Sequence, residues 1–336
     1  MKATYLELTA PGRLRCRNIL LTGARLKGPQ LLAKTVYTVI SPGTELAAWK
    51  GLSPLRPGRT YPRLLGYCNL AEIKKTGPGV SAVKAGDYIL TFQSHRSAFI
   101  CAETEVLYSV ARDSGTNLRA LSALYLYHLA LSALRAGDFQ PGHEVAIVGG
   151  GTLGCAVSDL ARAWGSMPLV FTNQEMSPLP RGAEQILPKV PPSGEFWRDR
   201  SGLDGADIAI LSSNSWADYQ LALEIVRKGG QVVCLGFPGR GEKAPEFNPL
   251  DSRFLYDKQL TIRHCGHVPD LEAAPLDIRF TLKRNLRYLA SLLQTGAINP
   301  EALLSFEVSA MHTQEAYRRL TNRRAGTRTA VISWRR

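Results

Sequence analysis

A glycine-rich stretch near the middle of the chain has the spacing that binds nucleotide phosphates. Its three spaced glycines follow an apolar run at 144–148, typical of a buried strand, and they open a helical pattern. In such a loop the first glycine permits a tight turn and the second lets the backbone approach a pyrophosphate. The third lets helix and strand pack closely, and the free N–H groups of the helix start meet the phosphates. The predicted contacts with a dinucleotide are Gly149, Gly151, Thr152, Leu153 and Gly154.

The residue after the next predicted strand, 169–172, indicates which dinucleotide is preferred. NAD-binding folds usually place an acidic side chain there, which accepts hydrogen bonds from the adenosine ribose. This chain has Asn173, which does not repel a 2′-phosphate, and Arg181 is near enough along the chain to reach such a phosphate. We therefore expect NADP(H) to be favoured over NAD(H). The competing interpretation of Arg181 is a solvated surface residue.

The elements that must hold these residues alternate between strand and helix. Helical patterns at 153–164 and 218–227 lie between apolar runs, which span 144–148, 169–172, 206–211 and 231–236. This alternation predicts an α/β fold with a doubly wound parallel sheet. Ligands bind at the carboxyl ends of the strands in such a sheet. The further cofactor contacts predicted at those ends are Ser212, Gly236 and Phe237.

The regions on either side have a different pattern. Glycine and proline punctuate short apolar runs in the first hundred residues, which predicts a small β-barrel or sandwich. The segment 118–136 is rich in leucine and alanine and is predicted to form one helix. A last strand is expected at 327–334.

Length and composition limit the class of protein. A chain of 336 residues with 45% hydrophobic and 21% charged residues suggests about two folded domains. Without a long apolar span or the apolar centre of a signal peptide, we expect a cytoplasmic location and no membrane partner. Six scattered cysteines without a Cys-x-x-Cys pair predict neither disulfides nor a zinc knuckle.

The composition is unusual in its formal net charge of +13. It fits a nucleic acid, an anionic cofactor or substrate, or an acidic protein partner, and the charge alone does not choose among them. The chain has no basic tail and no aromatic RNA platform, so we expect no nucleic-acid partner.

The order and spacing of several segments resemble the medium-chain dehydrogenase/reductase superfamily of alcohol dehydrogenases and quinone reductases. The resemblance implies a GroES-like β-barrel catalytic domain, 1–118 and 306–336, interrupted by a Rossmann NAD(P)-binding domain, 119–305, with the nicotinamide in a cleft. The segments that carry it are 39–45, 66–68, 77–88, 149–154, 223–233, 258–263 and 329–332.

The early segments look most like the branch that includes bacteriochlorophyllide dehydrogenase. That branch usually has an acidic residue after a Gly-Tyr pair, whereas this chain has Cys68 after Gly66 and Tyr67. We therefore do not transfer the substrate of that branch to this chain.

The positions that match the catalytic zinc ligands of the superfamily carry other residues. By the resemblance these positions are Ser41, Tyr67 with Cys68, and the stretch 124–128. Catalytic zinc needs three good protein ligands, and serine and tyrosine are poor ones. We expect an enzyme without zinc.

Without a metal, hydrogen bonds must stabilise the negative charge that develops on the substrate. Tyr67 is the first candidate for the proton donor, because it lies where a metal ligand would face the substrate; an ordinary packing role is its alternative. Ser41 and Thr44 are candidates for contacting the nicotinamide ribose or the substrate, or else for capping a turn. Glu45 is expected to brace this loop through a salt bridge.

Two histidines are further candidates. His128 lies in the helix leading to the Rossmann domain, close to where the third metal ligand would be, and a structural role is its alternative. His264 follows the strand 258–263, and the resemblance places residues after that strand near the nicotinamide.

Together these features predict a zinc-independent NAD(P)H-dependent oxidoreductase. It would transfer hydride to or from an activated carbonyl, enone, iminium or related biosynthetic intermediate, and an anionic or carrier-bound small molecule would suit the charge. The alternatives are a non-redox cyclase or isomerase on the same cofactor-binding fold, and a catalytically silent nucleotide-binding protein. We also expect a homodimer formed through strand 258–263.

Overall fold

The computed structural model describes residues 1–21, 26–55, 60–173, 175, 179, 182–187, 189–265, 280–322 and 326–335. The chain divides into two compact units. Unit 1 comprises Met1–Tyr125, Pro269–Arg323 and Thr327–Arg336, and unit 2 comprises Leu126–Val268 and Arg324–Gly326. Residues 280–305 therefore cluster with unit 1, although the family resemblance assigns them to the Rossmann domain; the domain bounds that it implies stay a prediction.

The strands and helices have the following bounds. The strands are β1 (Lys2–Ala10), β2 (Arg13–Leu20), β3 (Gln30–Val39), β4 (Arg63–Leu64), β5 (Cys68–Thr76), β6 (Tyr88–Thr91), β7 (Ala98–Ala102), β8 (Tyr108–Val110), β9 (Val145–Val148), β10 (Leu169–Phe171), β11 (Glu184–Ile186), β12 (Ala206–Leu211), β13 (Val226–Cys234), β14 (Thr261–His264), β15 (Leu304–Ser309) and β16 (Thr329–Ser333). The α-helices are α1 (Pro42–Lys50), α2 (Leu118–Ser122), α3 (Leu124–Ala136), α4 (Thr152–Ala163), α5 (Gly194–Ser201), α6 (Trp216–Ile225), α7 (Leu282–Gln294) and α8 (Thr313–Thr321).

Unit 1 is built mainly from antiparallel strands, as the glycine- and proline-punctuated pattern predicts. Among the described residues, one sheet has the order β2-β1-β4, and a larger sheet has the order β15-β16-β3-β5-β6-β8, with β7 also paired to β3. Alternate residues of β3 point into the core, where Leu31 and Ala33 pack against Ile73 and Phe99. The terminal strand β16 pairs with β3, so the last predicted strand is confirmed.

Unit 2 contains the parallel sheet that the alternating pattern predicts. Over the described residues its strand order is β11-β10-β9-β12-β13-β14. The central strands β9, β10 and β12 are buried along their whole length, as expected for strands covered on both faces. This is the order of a Rossmann sheet, and the predicted α/β fold is confirmed.

The register of this sheet brings the strand ends to one level. Phe171 of β10 and Leu211 of β12 both pair with Val148 of β9. Cys234 of β13 pairs with Leu211, and His264 of β14 pairs with Cys234. Residues that follow these positions therefore lie along one edge of the sheet, which is the edge where ligands bind.

Three elements differ from the sequence predictions. The segment 118–136 forms two helices, because Ala123 has φ −93° and ψ 0° and so departs from helical geometry. Gly229 and Gly230 lie within β13, where the pairing with β12 shifts register. The strand predicted at 258–263 begins only at Thr261, since a π-helical turn occupies Arg253–Asp257 and Gln259 has φ +53°.

None of the helices in the described ranges has the length and apolar character needed to cross a membrane.

Candidate functional site

Three side chains predicted to act in catalysis meet in unit 1. Ser41 caps the start of α1, where Pro42 occupies the first helical turn, and Tyr67 directly precedes β5. The Tyr67 hydroxyl donates a hydrogen bond to Ser41 Oγ and is also hydrogen-bonded to Thr44. We call Ser41, Thr44 and Tyr67 the hydroxyl cluster. Such a cluster can donate hydrogen bonds to an oxygen that gains negative charge.

The environment keeps the hydroxyl of Tyr67 protonated. Burial raises the pKa of Tyr67 well above its usual value of 10.0, and the neighbouring Cys68 and Glu45 raise it further. Burial and Glu45 also raise the pKa of the Cys68 thiol well above its model-compound value. At neutral pH both groups are therefore hydrogen-bond donors and carry no charge.

Aromatic rings border the hydroxyl cluster. Tyr125 meets Tyr67 edge to face, with ring centroids 5.5 Å apart, and it meets Phe92 edge to face at 4.9 Å. Phe92 is 40% exposed, although large apolar side chains are usually buried. The rings provide an apolar surface beside the hydroxyl groups of unit 1.

Glu45 braces the loop that carries Ser41, as the sequence analysis expects. Its carboxylate is buried and accepts a hydrogen bond from the Ser41 N–H at 2.7 Å. The ring of His95 lies 2.9 Å from the same carboxylate, and the Tyr317 hydroxyl donates to it. The sequence analysis does not predict His95 and Tyr317 as partners of Glu45, because neither residue lies in a recognisable motif.

A second layer of hydrogen bonds orients His95. Its Nδ1 atom lies 2.8 Å from Thr38 Oγ1, and the indole N–H of Trp334 donates to the same hydroxyl at 3.0 Å. His95, Thr38 and Trp334 are buried, so these polar atoms satisfy one another away from water. Strand β3, the loop before β7 and the C-terminal segment are thereby held together behind the hydroxyl cluster.

The glycine loop of unit 2 has the geometry that a dinucleotide requires. Gly149 has φ +111°, and a Cβ atom on Gly154 would lie 1.9 Å from the carbonyl oxygen of Gly149. Around Gly151, by contrast, the described structure has no atom within 4 Å of such a Cβ position. Helix α4 starts at Thr152 without a side-chain cap, and the N-terminal end of a helix favours phosphate oxygens. The loop fits a pyrophosphate.

The predicted residues at the other strand ends differ in role. The Ser212 hydroxyl donates to the Gly149 carbonyl at 2.8 Å, so Ser212 supports the glycine loop from β12. Gly236 is needed for packing, because a Cβ there would lie 1.9 Å from the Ser213 carbonyl oxygen. The Phe237 N–H donates to Asn214 Oδ1 at 2.8 Å, and the guanidinium of Arg240 lies 3.6 Å above the Phe237 ring.

The remaining candidates are placed as follows. Asn173 is exposed after β10, and its side-chain oxygen accepts a hydrogen bond from the Lys189 N–H at 3.3 Å. His264 is exposed at the end of β14. His128 is buried in α3, and burial lowers its pKa from 6.5 to about 4, so its ring is neutral at pH 7. Arg181 lies outside the described residues.

The residues of unit 1 do not fit the catalytic zinc that the superfamily resemblance would suggest. Two of the matching positions hold hydroxyl groups that are hydrogen-bonded to each other, Ser41 and Tyr67. Of positions 41, 67 and 68, only Cys68 offers a good zinc ligand, whereas catalytic zinc needs three. Across the described ranges, no group of three or more His, Cys, Asp or Glu side chains is arranged to hold a metal ion.

Comparison with known proteins gives a consistent picture. No protein-family model matches the chain. It is 24% identical over 302 residues to L-galactonate-5-dehydrogenase from Escherichia coli strain K12, covering 78% of this chain and 86% of that protein. It is 25% identical over 304 residues to 2-desacetyl-2-hydroxyethyl bacteriochlorophyllide A dehydrogenase from Rhodobacter capsulatus, covering 86% of each.

Solved structures share the fold over nearly the whole chain. One is a dehydrogenase from Sinorhizobium meliloti 1021, described as zinc-binding and bound to NADP, with a TM-score of 0.74, 17% identity and 99% coverage of both chains. Another, described as a short chain alcohol dehydrogenase, is from Escherichia coli CFT073 and is in complex with NADH, with a TM-score of 0.77, 12% identity and 99% coverage of both chains. These structures show the fold, and together with the two sequence relatives they confirm the resemblance to medium-chain dehydrogenases.

Proposed function

We propose that this chain, as a relative of the medium-chain alcohol and polyol dehydrogenases, is an NADP(H)-dependent oxidoreductase that works without catalytic zinc. The observation that carries the proposal is the hydroxyl cluster, because two of its members, Ser41 and Tyr67, occupy positions where the superfamily resemblance would place zinc ligands. The glycine loop supports the cofactor, since the space beside Gly151 and the N-terminal end of α4 suit a pyrophosphate.

The cofactor supplies a hydride donor or acceptor at C4 of its nicotinamide ring. In the direction of reduction, a bound cofactor would supply the hydride to the substrate carbon, and Tyr67 would turn its hydroxyl proton from Ser41 Oγ to the substrate oxygen. Once Tyr67 has lost this proton, the hydroxyls of Ser41 and Thr44 would donate to its oxygen and stabilise the phenolate until a proton returns from solvent, which reaches the exposed Thr44.

Neutral hydroxyl groups stabilise developing charge less than a metal ion does, so the substrate must be activated already. We propose an activated carbonyl, enone, iminium or related intermediate. The rings of Phe92 and Tyr125 favour a substrate with an apolar portion. The net charge of +13 also suits an anionic or carrier-bound molecule.

Titration with NADPH and with NADH, followed by nicotinamide fluorescence, tests the cofactor part of the proposal. We expect saturable binding, tighter for NADPH. If neither nucleotide changes in fluorescence, the oxidoreductase assignment is wrong.

A second assay tests the chemistry. Purified protein should consume NADPH in the presence of an activated enone. If the protein binds NADPH but does not consume it with any of a panel of enones, quinones and iminium ions, a non-redox use of the fold is favoured. Metal analysis of the same preparation should find well under one zinc per chain. One tightly bound equivalent would contradict the zinc-independent mechanism.

We also propose a homodimer that forms through β14. In the described part of unit 2 this strand ends the sheet, where its outer edge offers backbone groups to a second copy. Light scattering should give twice the chain mass, and a monomer at micromolar concentration would exclude this assembly.

A further inference from the structure

The smaller sheet of unit 1 ends at a strand that carries a row of arginines. Strand β2 is the outermost strand in the order β2-β1-β4, and among the described residues only β1 pairs with it. Seven of its eight residues are exposed, Leu14 being the exception. Because side chains alternate along a strand, Arg13, Arg15 and Arg17 lie on one face. An exposed edge of this kind is open to pairing with a further strand.

The pairing with β1 shows which backbone groups of β2 face outwards. Beside the end of β2, Met1 and Leu21 exchange both of their backbone hydrogen bonds, at 2.8 and 2.9 Å. Hydrogen-bonded and non-hydrogen-bonded pairs alternate along an antiparallel ladder. The N–H and C=O groups of Cys16, Asn18 and Leu20 therefore point away from β1, where they can pair with an added strand.

The arginine face of β2 is suited to carboxylates. Strands β1 and β2 contain one acidic residue, Glu7, which the register places on the arginine face. Its carboxylate lies 2.9 Å from the Arg17 guanidinium. On a strand added to the outer edge, residues opposite Arg15 and Arg17 would belong to non-hydrogen-bonded pairs, in which side chains are closest. Acidic residues there would make, on the open side of β2, the contact that Glu7 makes from β1.

A protein strand suits this edge better than a phosphate surface does. Each outward-facing residue offers an N–H donor and a C=O acceptor, and another extended backbone satisfies both along the edge. The phosphate oxygens of a lipid or nucleic acid can accept from N–H groups but offer no donor to the carbonyls. A second copy of β2 is disfavoured, because antiparallel pairing would put the arginines of both strands on one face, where like charges destabilise the pair.

We propose that β2 docks an extended acidic segment of a partner protein. The segment adds to the sheet as a further strand and presents carboxylates at every second residue to Arg15 and Arg17. This interaction surface goes beyond the proposed oxidoreductase function and does not depend on it.

Three fluorescein-labelled peptides of equal length test the proposal on the full chain. In the first peptide glutamate alternates with threonine, in the second the same residues are arranged with the glutamates contiguous, and in the third lysine replaces glutamate. Dissociation constants are measured by fluorescence anisotropy for the wild type and for variants.

Each variant has a matched control. Arg15→Glu reverses one charge of the arginine face, and Arg284→Glu makes the same change at an exposed position of α7. Asn18→Pro removes an outward N–H group, which an edge strand tolerates. Asn18→Ala keeps that N–H group and, like the proline variant, loses the side-chain hydrogen bond from Thr4.

We expect the wild type to bind the alternating glutamate peptide saturably, several-fold more tightly than the contiguous peptide and at least ten-fold more tightly than the lysine peptide. Arg15→Glu should weaken the alternating peptide about ten-fold and tighten the lysine peptide. Asn18→Pro should weaken the alternating peptide about five-fold, since one backbone hydrogen bond is lost. Both controls should stay within about two-fold of the wild type. Hydrogen exchange should show new protection of the Cys16 and Asn18 amides when the alternating peptide is bound.

Three outcomes would overturn the proposal. Equal affinity for the alternating and contiguous peptides, with no effect of Asn18→Pro, would show attraction to charge without strand addition. Sedimentation with phosphatidylserine vesicles, in the absence of binding to any peptide, would assign the arginine face to a membrane surface. No saturable binding of any peptide at millimolar concentration would leave the arginines as a guard against edge pairing. The proposed function is tested separately by the titrations with NADPH and NADH, so either can fail without the other.

Discussion

The carboxylate of Glu45 and the ring of His95 lie 2.9 Å apart, both side chains being almost completely buried. Glu45 reaches forward to the Ser41 N–H and His95 reaches back to Thr38, so the pair links the hydroxyl cluster to β3. Buried polar groups that satisfy one another in this way hold a site rigid, and a rigid donor needs little reorganisation during reaction.

Removing the charge of Glu45 should destabilise the protein. In Glu45→Gln the buried side chain can no longer accept hydrogen bonds from Ser41, His95 and Tyr317 at the same time. We expect the free energy of unfolding to fall by about 3 kcal/mol, measured by urea denaturation. The control is Glu246→Gln, at an exposed position, which should change the free energy of unfolding by less than about 0.5 kcal/mol. A change at Glu45 as small as in this control would show that the network contributes little.

Removing the hydroxyl of Tyr67 should slow the reaction without affecting cofactor binding. Tyr67→Phe retains the ring that packs against Tyr125 but loses the proton donor. We expect kcat to fall by roughly a hundred-fold or more, while the dissociation constant for NADPH stays within about two-fold. Tyr61→Phe removes a hydroxyl that donates to the Ala48 carbonyl and serves as the control. Retention of full kcat by Tyr67→Phe would remove Tyr67 from the mechanism.

Two glycines of the phosphate loop should respond differently to alanine. A Cβ at Gly151 meets no described protein atom within 4 Å, so Gly151→Ala should retain the wild-type melting temperature. The variant should nevertheless lose most of its affinity for NADPH, because the added methyl group enters the space of the pyrophosphate. At Gly154 the Cβ would overlap the Gly149 carbonyl oxygen, so Gly154→Ala should lower both the melting temperature and the affinity for NADPH. Calorimetry and thermal unfolding measure the two effects. Unchanged NADPH binding by Gly151→Ala would place the pyrophosphate elsewhere.

The buried ring of His128 should make stability depend on pH. Burial lowers its pKa to about 4, whereas in the unfolded chain the value returns to about 6.5. Between these values the unfolded chain binds more protons than the folded one, so the free energy of unfolding falls as the pH drops from 6.5 towards 4. The total contribution is about 3 kcal/mol.

The substitution His128→Leu isolates this contribution. Urea denaturation from pH 8 to pH 4 should show a shallower loss of stability for the variant than for the wild type. At pH 8 this position carries no charge in either protein, so a difference there reports packing alone. Parallel pH curves for the two proteins would contradict the lowered pKa of His128.

Local patterns in the sequence predict the features that depend on near neighbours along the chain. The spacing of Gly149, Gly151 and Gly154 after an apolar run requires only one strand, one turn and one helix, and all three are present. The alternation of strands and helices predicts the parallel sheet for the same reason. Where local signals are weak, as at Ala123 in the middle of a helical pattern, the prediction of one continuous helix is wrong.

The amino-acid sequence by itself determined the α/β fold and the glycine loop, because both are encoded in short-range spacing and residue type. Only the tertiary structure decided that His95 and Tyr317 meet Glu45, across separations of 50 and 272 residues. It also brought Lys189 to Asp218 and Asn173. Side-chain contacts of this kind depend on where distant segments of the chain come to lie, and no local propensity specifies that position.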